Sequence, residues 1–127
     1  MGDMGMDTGS QHPSGQSVRL RVYFGERDKY HGKALWSALL DHLRQAGAAG
    51  ATVTRGISGF GAHSVIHAAS IVDLSTDLPL ILEWIDGEEL VQEVLPKIEA
   101  MLDGGLITIE PVTVVRYQPH TRDPERG

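Results

Sequence analysis

Cysteine is absent from the 127 residues. With it go a disulfide framework, a thiolate metal site and a cysteine nucleophile, and a reducing cytoplasm is the expected compartment. Long apolar runs are missing too. No stretch approaches the roughly 20 residues that cross a bilayer, and the first residues lack the basic and apolar segments of a signal peptide. Positive charge is scarce: 11 Lys and Arg stand against 17 Asp and Glu, giving a formal charge of -6 and a pI near 5.4. Between Ser17 and Tyr117 the count is 9 against 13, so the acidity belongs to the folded part. The electrostatic footprint of a nucleic-acid binder is therefore missing, and neither DNA nor RNA is expected as the main ligand.

What is present suffices for one domain with a hydrophobic core that needs no staples. Residues 1–16, rich in Gly, Ser, Met and Asp without periodicity, read as a disordered tail, and residues 118–127 as a second flexible tail; the domain is residues 17–117. Val18 to Gly25 alternates Val18, Leu20, Val22 and Phe24 with Arg19, Arg21 and Tyr23, the period of a strand. A charged connection from Gly25 to Gly32 precedes a helix from Lys33 to Ala46, whose apolar face is Leu35, Trp36, Leu39, Leu40 and Leu43 and which Gly47 ends.

The next stretch, Ala51 to Ala69, departs from ordinary core. Its first half is a strand running to Ile57; then Gly56, Gly59 and Gly61 crowd around Phe60, where backbone can adopt positive φ and approach a ligand. Ser70 to Leu74 and Leu78 to Asp86 read as strand pieces, with Pro79 at a strand start or bulge. Asp86 and Glu89 form a capping-box pattern for a second helix with the stripe Leu90, Val91, Val94, Leu95, Ile98, Met101 and Leu102; Pro96 bends this helix without ending it, and Gly104 and Gly105 close it. A last strand runs from Leu106 to Tyr117 with a break or bulge at Pro111.

The order strand, helix, strand, strand, helix, strand predicts an α+β, ferredoxin-like βαββαβ domain: an antiparallel sheet with two helices on one face. Its other face would be bare, although Ile81 and Ile85 sit beside Leu80 and Leu82, so a closed symmetric oligomer is expected to cover it.

Several residues are candidates for a site. Gly59, Phe60 and Gly61 offer consecutive amides for an anion and a ring for a flat ligand, or else form a tight bend with Phe60 anchored in the core. Gly104 and Gly105 serve as a helix stop or a phosphate loop; Arg116, on the last strand, has the fork for a phosphate or pairs with a carboxylate; Lys33 lies near a positive helix end or is merely solvated. His63 and His67 stand four apart, a spacing that can serve zinc, but a third ligand is not evident; otherwise they line the loop, sense pH or hydrogen-bond across a subunit boundary. Ser58, Ser64 and Ser70 near these histidines lack the spacing of a nucleophile with its base, so catalysis is not expected.

Four segments in order carry a resemblance: residues 25–33 (GERDKYHGK), 50–61 (GATVTRGISGFG), 77–79 (DLP) and 105–110 (GLITIE). They resemble the bacterial and archaeal family called domain of unknown function 190, over roughly Val18 to Tyr117. That family is similar to the PII signalling proteins, trimers of ferredoxin-like subunits that bind adenine nucleotides between subunits and contact partners through a long loop. Gly59-Phe60-Gly61 resembles the base of that loop, and Asp103-Gly104-Gly105-Leu106-Ile107 a degenerate form of the loop before the last strand, without its lysine. The segment from Gly61 to Ala69 is shorter than the PII loop and lacks the tyrosine that some members modify.

The resemblance implies a homotrimeric signalling or adaptor protein that is no enzyme and requires no cofactor. An anionic effector, an adenine nucleotide, would bind near Gly59, Phe60, Gly61, His63, Gly104, Gly105, Arg116 and Lys33 and order the loop from Ser58 to His67. The implied partner is a membrane transporter or channel. Two alternatives stand beside this reading: a metal-dependent enzyme using His63 and His67, and a ligand-free structural oligomer.

Overall fold

Apolar and polar residues alternating along a strand give it two chemically different faces, and packing then follows from which face finds a cover. The computed structural model describes residues 15–61 and 77–119. In chain order the elements are β1 (Gly15–Gly25), β2 (Lys29–Tyr30), β3 (Lys33–Ala34), α1 (Leu35–Gln45), β4 (Ala51–Arg55), β5 (Pro79–Asp86), α2 (Glu88–Met101) and β6 (Leu106–Val114). The main sheet has the order β4-β5-β1-β6 with every neighbouring pair antiparallel. This is the ferredoxin-like α+β arrangement expected from the element order.

The covered face holds the core. Val53, Leu82, Val22 and Ile107 lie in one row across the sheet and Ala51, Trp84, Leu20 and Ile109 in the next. Leu20, Val22, Leu82 and Trp84 are fully buried, as are Leu39 of α1 and Val91 and Ile98 of α2. Each such aliphatic burial contributes about 1.5–3 kcal/mol.

Several boundaries differ from the sequence pattern. The connection after β1 contains a small hairpin, β2 paired with β3, so α1 begins at Leu35 rather than Lys33. Trp36 is 40% exposed and Ala38 takes the core position instead. The helix ends as expected: Gly47 (φ +89) and Ala48 return their N–H groups to the carbonyls of Arg44 and Leu43, a Schellman closure. α2 continues through Pro96. Its N-cap, however, is Gly87 with no side-chain bond, so Asp86 does not form the expected capping box.

β4 ends at Arg55 and β6 at Val114, each short of the expected limit. No bulge forms at Pro111, since the register between β1 and β6 is unbroken from Gly15↔Val114 to Tyr23↔Leu106. β6 is an edge strand, where a proline without an N–H costs no ladder bond if that position faces outward. The strand piece expected at Ser70 to Leu74 lies outside the described residues.

The other face of the sheet carries an ionic ladder between half-buried apolar side chains. Arg19 pairs with Glu110, Arg21 Nε donates to Glu83 Oε1 at 3.2 Å, and Arg21 Nη1 stands 3.8 Å from Glu110. Tyr23, Ile81 and Ile85 flank these pairs, each only partly covered. The hydrogen bond from Arg19, and its charge, hold the Glu110 carboxyl below its ordinary value. A carboxyl depressed on folding stabilises above its unfolded pKa and loses that stabilisation as pH falls through the folded one. The thermal midpoint of the wild type is thus expected to drop more between about pH 6 and about pH 3 than that of Glu110→Gln, with the difference shrinking in high salt. Parallel profiles for the two proteins would rule out this contribution.

Candidate functional site

Three of the sequence segments singled out above meet at one end of the sheet, where β1 finishes, β5 starts and β4 finishes. The Gly56 N–H donates to the Pro79 carbonyl at 2.7 Å, and the Glu26 N–H to the Leu78 carbonyl at 2.9 Å. The Arg27 N–H donates to Asp77 Oδ1 at 3.1 Å, the Gly25 N–H to Asp28 Oδ2 at 3.1 Å, and Arg55 Nη2 to Glu26 Oε2 at 2.7 Å. Residues 25–28, 55–56 and 77–79, distant in sequence, form one hydrogen-bonded platform.

Pro79 also explains two of the glycines. A Cβ on Gly56 would stand 3.0 Å from Pro79 Cγ and one on Gly59 3.2 Å from it, so both positions are small because the chain folds against the proline ring. Of the three glycines around Phe60 only Gly61 has positive φ, at +126°. Phe60 is 90% exposed and Ile57 91% exposed. The reading of Phe60 as a core anchor is therefore incorrect: its ring stands in solvent, four residues past the hydrogen bond of Gly56 to Pro79.

Gly104 and Gly105 also lie at this end, at the start of β6 beside Tyr23 of β1. They flank the opposite edge of the sheet from β4, three strand spacings or about 14 Å away. Arg116, expected on the last strand, lies beyond Val114 in irregular exposed backbone, at the far end of β6 from Gly105 and about 30 Å from it. Lys33, in β3, forms an ion pair with Asp41 at 2.7 Å on the helical side. His63, His67 and most of the segment from Ser58 to His67 lie outside the described residues. Among the described residues no group of three or more His, Cys, Asp or Glu could hold a metal, and no helix is long and apolar enough to cross a membrane.

Sequence reasoning missed Glu26, Asp77 and Pro79 as the supports of the glycine segment. Their signal was available only in part: a proline opening a strand must face a partner that needs its carbonyl but not its N–H, and Gly56 is that partner.

The model of the domain of unknown function 190 family (DUF190, uncharacterized ACR) matches residues 17–114. The chain belongs to the DUF190 family. Among its relatives, a UPF0166 protein of Methanocaldococcus jannaschii is 40% identical over 91 residues, covering 71% of this chain and 83% of the relative. One from Aquifex aeolicus is 35% identical over 96 residues, covering 76% and 90%. Among solved structures, a Thermus thermophilus protein assigned as PII-like signalling superposes with a TM-score of 0.56 at 21% identity, covering 79% of this chain and 90% of that one. CPII of Thiomonas intermedia K12, bound to ADP and bicarbonate, gives 0.51 at 22% identity, covering 80% and 90%. Likeness at this level shows the fold: the DUF190 chain has the PII-like form of the ferredoxin-like domain.

Proposed function

We propose that this DUF190 protein is a homotrimeric signalling or adaptor protein, PII-like in action as well as in fold, that binds an adenine nucleotide between subunits and controls a partner through the segment following β4. The observation that carries the proposal is Phe60: a large ring 90% exposed, between two glycines, in the segment that leaves the Pro79 platform. A phenyl ring left in solvent is unfavourable for an isolated chain and useful for stacking on a flat base. In a ring of three copies packed through the uncovered face of the sheet, the segment after β4 of one protomer would meet the start of β6 of the next. Gly59, Phe60 and Gly61 would then face Gly104 and Gly105 of the adjoining copy, whose amides suit phosphate oxygens. CPII with bound ADP supports the ligand class, and the resemblance to PII proteins supports a membrane transporter or channel as the partner.

Light scattering is expected to give the mass of a trimer, and calorimetry against ATP, ADP, AMP, cyclic AMP and cyclic di-AMP to show binding of at least one. Phe60→Ala should keep the fold and weaken that binding about tenfold, the usual worth of a ring stacked on a base. A monomer, or no heat with any of the five, would overturn the reading.

A further inference from the structure

On the face of the main sheet turned away from the helices, the four strands place Arg19 and Arg21 of β1, Glu83 of β5 and Glu110 of β6, and no other charged side chain among the described residues. Arg21 Nε donates to Glu83, Arg21 Nη1 lies 3.8 Å from Glu110 Oε2, and Arg19 Nε donates to that same oxygen at 2.8 Å. Two cations and two carboxylates cancel, and each finds its partner within one protomer. The rows on either side are uncharged: Thr54, Ile81, Tyr23 and Leu106 lie towards the platform, Ser17 and Val112 towards the other end.

This balance is unlike the rest of the chain, which carries 17 acidic against 11 basic residues. A solvated surface has no need to cancel its charge locally, and the exposed side of α2 does not: Glu88, Glu89, Glu93 and Glu99 stand there against Lys97. Two copies of an acidic chain repel on approach, and a contact with net charge of one sign repeats that cost at every symmetric interface. A self-neutralised face avoids it. Leu106, 47% exposed, and the half-covered Ile81 and Ile85 supply apolar area for such a contact. A partner of opposite charge would find no net charge here to recognise, whereas a second copy brings a face as neutral as the one it meets.

We propose that the ladder of Arg19, Glu110, Arg21 and Glu83 is the element that decides self-assembly: covered by a second copy with its charges paired inside each protomer, it makes association depend on charge balance rather than on ion pairs between subunits. The inference rests on the trimeric reading above and names the residues that govern it. A covered ion pair adds little net stability, but removing one member leaves the other uncompensated in the contact.

Analytical ultracentrifugation of the full chain over a concentration series tests this with Arg19→Gln, Glu110→Gln and the variant carrying both. Each single change leaves one unbalanced charge per copy on the face and should raise the concentration of half-dissociation about a hundredfold. The double variant keeps the Arg21–Glu83 pair, restores neutrality and should return to within about threefold of wild type. Lys97→Gln, which alters the net charge of the chain as Arg19→Gln does but on α2, should assemble like wild type. Circular dichroism is expected to show every variant folded, since none of these side chains belongs to the core. A wild type that stays monomeric throughout would overturn the trimeric reading and this inference with it. A trimeric wild type would overturn the role of the ladder alone if the single variants dissociated as it does, if the double variant were no better than the singles, or if Lys97→Gln were as weak as Arg19→Gln.

Discussion

Asp86→Ala is expected to cost about 3–5 kcal/mol of stability, a large part of the 5–15 kcal/mol a domain of this kind has to lose. The carboxylate is fully buried and serves three donors. Its Oδ2 accepts from the Trp84 indole Nε1 and from the Ala49 N–H, both at 2.9 Å, and its Oδ1 accepts from the Gly87 N–H at 3.0 Å. It ties together the end of β5, the turn that leads into β4 and the first residue before α2. Alanine would leave the indole N–H inside the core without an acceptor and open a small void beside it. Asp86→Asn keeps the shape and can still offer one oxygen to Trp84 and Ala49, but its amide nitrogen would face the Gly87 N–H. A smaller loss of about 1–3 kcal/mol is expected there. Urea unfolding followed by tryptophan fluorescence measures both; an alanine variant within about 0.5 kcal/mol of wild type would show that the hub holds nothing together.

Asp86 also illustrates what could be read in the chain and what could not. Its place just before a helical stripe, three residues ahead of Glu89, matches a capping box, and local pattern offers no reason to doubt it. The competing demand comes from Trp84, two residues earlier on the same face of β5, whose indole needs a buried acceptor. That demand is tertiary, and it won. Trp36 departs from its pattern too: it extends the apolar stripe of α1 on a helical wheel, yet it is 40% exposed and Ala38 is buried instead.

The element order and sheet face were legible because long alternations such as Val18 to Phe24 admit one register only. The candidate site was legible as glycine spacing around Phe60, but not as a platform, because the partners of Gly56 and Glu26 lie more than twenty residues downstream and pair through backbone atoms that carry no sequence signature.

The second large effect is expected at Gly105, where chain geometry leaves no alternative residue. Its φ of +107° lies where side chains are strained, and a Cβ there would stand 2.7 Å from the Tyr23 carbonyl oxygen. That oxygen belongs to β1, and Tyr23 pairs with Leu106, so the contact cannot be relieved by turning a side chain; the start of β6 would have to move off the sheet. Gly105→Ala is therefore expected to lose about 2–4 kcal/mol, from left-handed strain and backbone overlap together. Two other glycines serve as internal controls. Gly104, φ +128, has open space around its Cβ position, so Gly104→Ala should show the strain alone, about 1 kcal/mol. Gly50 has neither positive φ nor a close neighbour, and Gly50→Ala should be neutral or stabilise by a few tenths of a kcal/mol through the unfolded chain. Thermal and urea unfolding of the three variants should rank them in that order. Were Gly105→Ala to match Gly50→Ala, β6 would be free to begin elsewhere, and the glycine pair would lose its fixed position opposite the Phe60 bend.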